Sequence, residues 1–142
     1  MPKSILITGS NGQLGNELQL LANDDFQFIF TNKDTLDITK SGELRQFFRE
    51  HKIDFCINTA AYTKVDLAET ETETCQRVNI EGCFNLAEIC DQYDTKLIHI
   101  STDFVFDGER HTPYDEQAYP NPLSVYGKTK KEGEQAVLDE LE

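Results

Sequence analysis

"ITGSNGQLGNEL", residues Ile7 to Leu18, decides how this chain is read. An apolar run ends on Gly9, and glycines follow at 12 and 15, where helical spacing begins. Glycine inside a helix costs roughly 1 kcal/mol relative to alanine, so three of them at every third position mark a backbone kept bare. In a strand-to-helix phosphate turn, Gly9 permits the tight turn, Gly12 clears the approach of a pyrophosphate, and Gly15 brings helix and strand together. The free N–H groups and the positive end of the helix then face the phosphates. The spacing is GxxGxxG, one residue different from the better-known GxGxxG, and in isolation either pattern also describes an ordinary turn.

What surrounds the glycines lifts that ambiguity. "SILIT" (4–8), "FQFIFT" (26–31), "IDFCINTA" (53–60) and "KLIHIS" (96–101) are short apolar runs of the length of buried strands. Helical patterns separate them. Leu14, Leu18 and Leu21 recur at i, i+4, i+7, and Leu44, Phe47 and Phe48 line "SGELRQFFREH", with Thr39 or Ser41 as its N-cap. Cys75, Val78, Gly82, Cys83, Leu86 and Cys90 share one side of a long helix ending near Tyr93, and a last helix runs from about Ser124 to Leu141. A weak extra strand is expected at Thr35 to Ile38. Strand–helix alternation means parallel strands with right-handed crossovers, hence a Rossmann-like, doubly wound α/β sheet. The strands at 26–31, 4–8, 53–60 and 96–101 should lie side by side in that order. One long irregular stretch, "DGERHTPYDEQAYPNP" (107–122), is of a length that usually serves function or moves.

Composition limits the partners. The chain has 142 residues, enough for one domain, and its 26 acidic and 13 basic residues leave a net charge of −13. Only "KTKK" (128–131) is locally basic, which disfavours nucleic acid. No stretch is apolar enough for a membrane span. The four cysteines show no CxxC pairing, so they read as buried free thiols, with no metal site, in a cytosolic protein.

Two stretches carry chemistry. "YGKTK" places Tyr126 and Lys130 at i and i+4 on one helix face. "HISTDFVFDG" puts Ser101, Thr102 and Asp103 at the carboxyl end of a strand, where open α/β sheets bind ligands. A lysine ammonium beside a tyrosine favours the phenolate, so that the ring can exchange a proton near neutral pH. A hydroxyl such as that of Thr102 holds the oxygen that receives it. As for the dinucleotide, no acid ends the second strand. Lys33 stands there instead, either paired with a 2′-phosphate, which means NADPH over NADH, or simply solvated.

The ordered motifs "GxxGQLG" (9–15), "NTAAYTKVDLAE" (58–69), "VN" (78–79), "STDFVFDG" (101–108), "PYDE" (113–116) and "NPLSVYGKTKKEGE" (121–134) span nearly the whole chain. They resemble the dTDP-4-dehydrorhamnose reductase family of the extended short-chain dehydrogenase/reductase superfamily. The stretch "AAYTKVDLAE" separates that family from the broader epimerases and dehydratases. The resemblance implies an NAD(P)H-dependent reduction of a nucleotide-sugar, with Tyr126 as proton donor, Lys130 on the nicotinamide ribose, Thr102 on the carbonyl oxygen and Asp103 on the sugar. It implies that Gly12, Gln13 and Leu14 contact the pyrophosphate, Asp37 and Ile38 the adenine, and Ala61, Tyr62 and Thr63 the nicotinamide side, with Gly9, Asn11, Gly15, Ala60 and Ser101 completing the cofactor site. Asn79 is similar to the helix asparagine that supports such sites through water, and reads equally as a polar residue that bends its helix. Glu69, Glu71 and Glu73 read as a solvated face.

Family members are longer, their later residues supplying the substrate part, so this chain is expected to be the cofactor half, with little turnover alone; a homodimer is possible for the enzyme. A second resemblance leads elsewhere. The regulatory subunit of methionine adenosyltransferase is similar in its glycine loop, "DxVFDG" and "YGKTK", and would be a binding partner without this catalysis.

Overall fold

The computed structural model describes residues 1–141. Isoleucine- and phenylalanine-rich segments pair in parallel to form a sheet in which β1 (Lys3–Thr8) lies between β2 (Phe26–Phe30) and β3 (Phe55–Asn58), with β4 (Lys96–His99) outside β3. This is the expected order. Helix α1 (Gln13–Leu20) joins β1 to β2, and α2 (Ser41–Glu50) joins β2 to β3. Between β3 and β4 come α3 (Val65–Ala68), α4 (Thr72–Gln76), a π-helical turn (Arg77–Glu81) and α5 (Gly82–Gln92); α6 (Val125–Leu141) follows the long loop. The chain steps outward from β1 to β2 and then back across to β3 and β4. Right-handed crossovers therefore put α1 on one face and α2 and α5 on the other.

The main core fills the second of these faces. Leu6 and Cys56 from the strands meet Leu44 and Phe48 of α2 and Leu86, Ile89 and Cys90 of α5, all buried. Each such apolar side chain stabilises the fold by roughly 1.5–3 kcal/mol relative to exposure. All four cysteines are buried free thiols, as expected.

Several local expectations fail for identifiable reasons. Residues Thr35 to Ile38 form no strand. The Asn32 carboxamide oxygen accepts the Asp34 and Thr35 amides at 2.9 and 3.3 Å, a side-chain-driven turn. This bend drops Leu36 and Ile38 into the core, where they are 3% and 4% exposed. Neither Thr39 nor Ser41 caps α2: Lys40 holds the cap position without a side-chain bond, and the Thr39 hydroxyl donates to Asp37 at 2.7 Å. The leucine face of α1 is not a core face, since Leu14 and Leu21 are exposed and only Gly15 is buried. The helix through Cys75 and Cys90 is interrupted by the π turn at Arg77–Glu81.

Two close backbone approaches set α6 in place. A Cβ on Gly133 would stand 2.1 Å from the Asn79 carbonyl oxygen, and one on Gly127 2.2 Å from that of Phe104. Helix α6 is thereby pressed against the π turn and against the 3-10 turn Asp103–Val105 that follows β4. Gly133→Ala should cost about 2 kcal/mol or more, because backbone must move to admit the methyl. Urea denaturation of the variant checks this, and an unchanged midpoint would show that α6 shifts freely.

Candidate active site

The glycine turn meets the end of β2 at the carboxyl edge of the sheet. Gly9 has φ +65°, and a Cβ there would lie 2.6 Å from the Ala60 nitrogen, so glycine is required where the ends of β1 and β3 touch. Gly15 passes equally close to the Gly9 oxygen, at 2.5 Å from a would-be Cβ. The Gly12 amide is spent on Gly9 O at 2.9 Å, whereas Gly12, as the N-cap of α1, offers no side-chain cap. No acid occupies the first turn of α1, so Gln13 and Leu14, both exposed, present unopposed positive backbone dipoles. Asn11 is exposed beside them and its carbonyl accepts the Asn16 side chain at 3.4 Å. The Ser10 amide donates to Thr31 O at 2.9 Å, tying this turn to the segment that carries exposed Lys33. Asp37 is engaged by Thr39 through both amide and hydroxyl, and the side chain of Ile38 is committed to the core.

After β3, the loop Ala60–Ala61–Tyr62–Thr63 lies along the same edge. Asn79, 1% exposed in the π turn, holds it from below. Its side-chain oxygen accepts the Tyr62 amide at 2.8 Å, and its NH2 donates to Tyr62 O and to the Thr129 hydroxyl of α6, each at 3.1 Å. π turns recur at functional sites; here the turn presents one asparagine to two elements at once. The Tyr62 hydroxyl donates to Glu71, which pushes the phenol up to about 12.

Thr102, Tyr126 and Lys130 come from the end of β4 and from α6. The Thr102 hydroxyl accepts the Phe104 amide at 3.2 Å as cap of the 3-10 turn and donates to the Asp103 carboxylate at 3.4 Å. The Phe104 ring meets the buried Tyr126 ring edge-on at 5.5 Å, so one residue links the two candidates. Lys130, 3% exposed, donates to Ile100 O at 2.8 Å. Exposed Ser101 donates to Glu134, one helical turn beyond Lys130. Asp103 lines a cleft of about 290 Å³ with Phe104, Phe106, Leu123 and Ser124. Asp107 pins the start of the long loop by accepting from Tyr114 at 2.8 Å and Asn121 at 3.1 Å.

The family described as RmlD substrate binding domain matches residues 3–142. The chain belongs to that family. It is 40% identical over 136 residues to a dTDP-4-dehydrorhamnose reductase of Aggregatibacter actinomycetemcomitans, covering 94% of this chain and 46% of the relative. It is 39% identical over 137 residues to a dTDP-4-keto-6-deoxy-D-glucose reductase of Streptomyces niveus, covering 96% and 48%. Among solved structures, a dTDP-4-dehydrorhamnose reductase from Bacillus anthracis in complex with NADP superposes with a TM-score of 0.95 at 40% identity, covering 98% of this chain and 50% of that one. The resemblance read from the motifs is thus borne out, and these names favour the reductases over the regulatory subunit. The chain spans about half the length of the curated relatives it matches.

Within this RmlD-family chain, sequence reading missed a buried polar row behind the site. Thr8, Asn58 and His99 are neighbours across β1, β3 and β4. Thr8 donates to the Asn58 side-chain oxygen at 2.6 Å, and Asn58 donates to His99 Nδ1 at 3.1 Å, so the neutral ring carries its proton on Nε2. That Nε2 is buried without a partner among the described residues. Burial first, and the Lys130 charge second, push His99 down to about 4. Burial also pushes the Cys83 thiol up to about 11 and lowers Lys130, whose charge Glu134 supports. Polar residues at one register position of adjacent strands were the available signal. The unfolded chain takes up the His99 proton near pH 6.5, the folded protein only near 4, so stability falls across that window. The loss amounts to about 3 kcal/mol at most. Urea denaturation at stepped pH should therefore show wild type losing stability relative to His99→Gln between pH 6.5 and 4. A constant difference would mean that burial does not perturb this ring.

Proposed function

We propose that the whole protein is a reductase that transfers hydride from NADPH or NADH to the 4-keto group of dTDP-4-dehydro-L-rhamnose, giving dTDP-L-rhamnose. The observation that carries this reading is the meeting of Thr102 and Tyr126 on Phe104, with Lys130 buried one helical turn from Tyr126. The uncapped N-terminus of α1 and the bare glycine turn suit a pyrophosphate chemically. When bound, the dinucleotide supplies the hydride. The Tyr126 hydroxyl donates a proton to the carbonyl oxygen as negative charge builds there, and the Thr102 hydroxyl hydrogen-bonds the same oxygen. Tyr126 sits in the first turn of α6, one turn ahead of Lys130 on the same helix face. Asp103 faces the cleft in which the sugar would rest.

NADPH is favoured over NADH by Lys33, exposed beside the glycine turn and free of ion pairs among the described residues. The Bacillus anthracis relative holds NADP. In the whole protein, Lys33→Glu should weaken NADPH binding more than NADH binding, measured by fluorescence titration; equal losses would mean that Lys33 reads neither.

The decisive assay is oxidation of NADPH by the whole protein in the presence of dTDP-4-dehydro-L-rhamnose. Tyr126→Phe keeps the ring and its packing on Phe104 but removes the transferable proton. Turnover should fall by about 10²–10⁴-fold with cofactor affinity nearly intact. Lys130→Met should impair both, since the lysine also binds the ribose. Substantial activity in Tyr126→Phe would overturn the proton-donor assignment.

A further inference from the structure

Glu69, Glu71 and Glu73 look like a solvated acidic run, yet the structure engages each of them. Glu73 pairs with Arg77 at 3.2 Å on the surface, and Glu71 accepts from the Tyr62 hydroxyl. Glu69 does something different: its Oε1 accepts the Val125 amide at 2.8 Å, across 56 residues of sequence. Val125 is the first residue of α6, and its N–H is one of those for which a helix provides no acceptor. The Ser124 hydroxyl serves a different amide, that of Gly127, at 3.0 Å. The first turn of α6 is therefore capped twice, once by its own neighbour and once from the α3–α4 junction. A carboxylate at that end also complements the helix dipole.

This turn carries Tyr126. Ala68, the residue before Glu69, is buried against Tyr126 and Cys75, so the ring and the cap rest on one support. One turn further on, Thr129 is held by Asn79 at 3.1 Å and lies 3.2 Å from the Cys75 sulfur. Glu69 is the contact that extends this hold to the helix terminus, where fraying would otherwise begin.

We propose that Glu69 is a positioning residue for Tyr126: through the Val125 amide it fixes the first turn of α6 and with it the place of the phenolic hydroxyl. The inference rests on the reading of Tyr126 as proton donor. Small displacements of a reacting group are costly, a misplacement of about 1 Å reducing rate by as much as ~10²-fold.

The test uses the whole protein. Glu69→Ala should lower kcat about tenfold while changing KM for NADPH less than twofold, and should speed hydrogen exchange of the Val125 amide. Glu69→Gln keeps an oxygen acceptor at the same reach, so it should restore both kcat and amide protection to near wild-type values. Unchanged kcat or unchanged Val125 exchange in Glu69→Ala would overturn the proposal, as would failure of Glu69→Gln to recover either. Tyr126→Phe measured alongside separates the two claims. Full activity there rejects the proton-donor reading itself, whereas an inactive Tyr126→Phe with a fully active Glu69→Ala rejects only the role of Glu69.

Discussion

The site depends on how closely α6 approaches the backbone beneath it. At Gly133 and Gly127 the helix lies so near the carbonyls of Asn79 and Phe104 that no side chain fits between them. That proximity lets the Asn79 amide reach Thr129, lets Lys130 reach the Ile100 carbonyl, and sets Tyr126 edge-on to Phe104. The π turn belongs to the same constraint. It places Asn79 where one side chain serves both the loop after β3 and the helix. The loop after β3 and the helix that carries Tyr126 and Lys130 are thus parts of one packed unit.

Burying a lysine in such a unit is expensive unless its charge is answered. Its ammonium has a backbone carbonyl at 2.8 Å, and Glu134 lies one turn along the same helix face. The other titratable neighbours stay uncharged near neutral pH: burial keeps Cys83 a thiol and His99 a neutral ring. Lys130 is accordingly the positive charge of this buried corner, held on the Ile100 carbonyl. The row Thr8–Asn58–His99 links the three strands beneath the site, and Asn58 also accepts the Ala60 amide at 3.2 Å, joining the row to the loop after β3.

Much of this was legible in the residue order. Alternating apolar runs and helical spacings specified the parallel sheet and its order, because buried strands and crossover helices each impose a local period that survives in sequence. Tyr126 and Lys130 could be paired because i, i+4 geometry is local to one helix. Other features left no such period. The turn at Asn32 overrode the apparent strand at Thr35–Ile38 through one side-chain oxygen. The α1 leucines kept helical spacing without a core to face, since α1 touches the sheet through Gly15.

Fold class, the glycine turn and the pairing of Tyr126 with Lys130 were determined by sequence alone, since each follows from spacing within a few residues. Which residues support those groups was decided only by tertiary structure. Glu69 and Val125, Asn79 and Thr129, Ser101 and Glu134 are separated by 56, 50 and 33 residues. Their pairing follows from where the packed core leaves two backbones in reach of each other, a distance that no local pattern of side chains encodes.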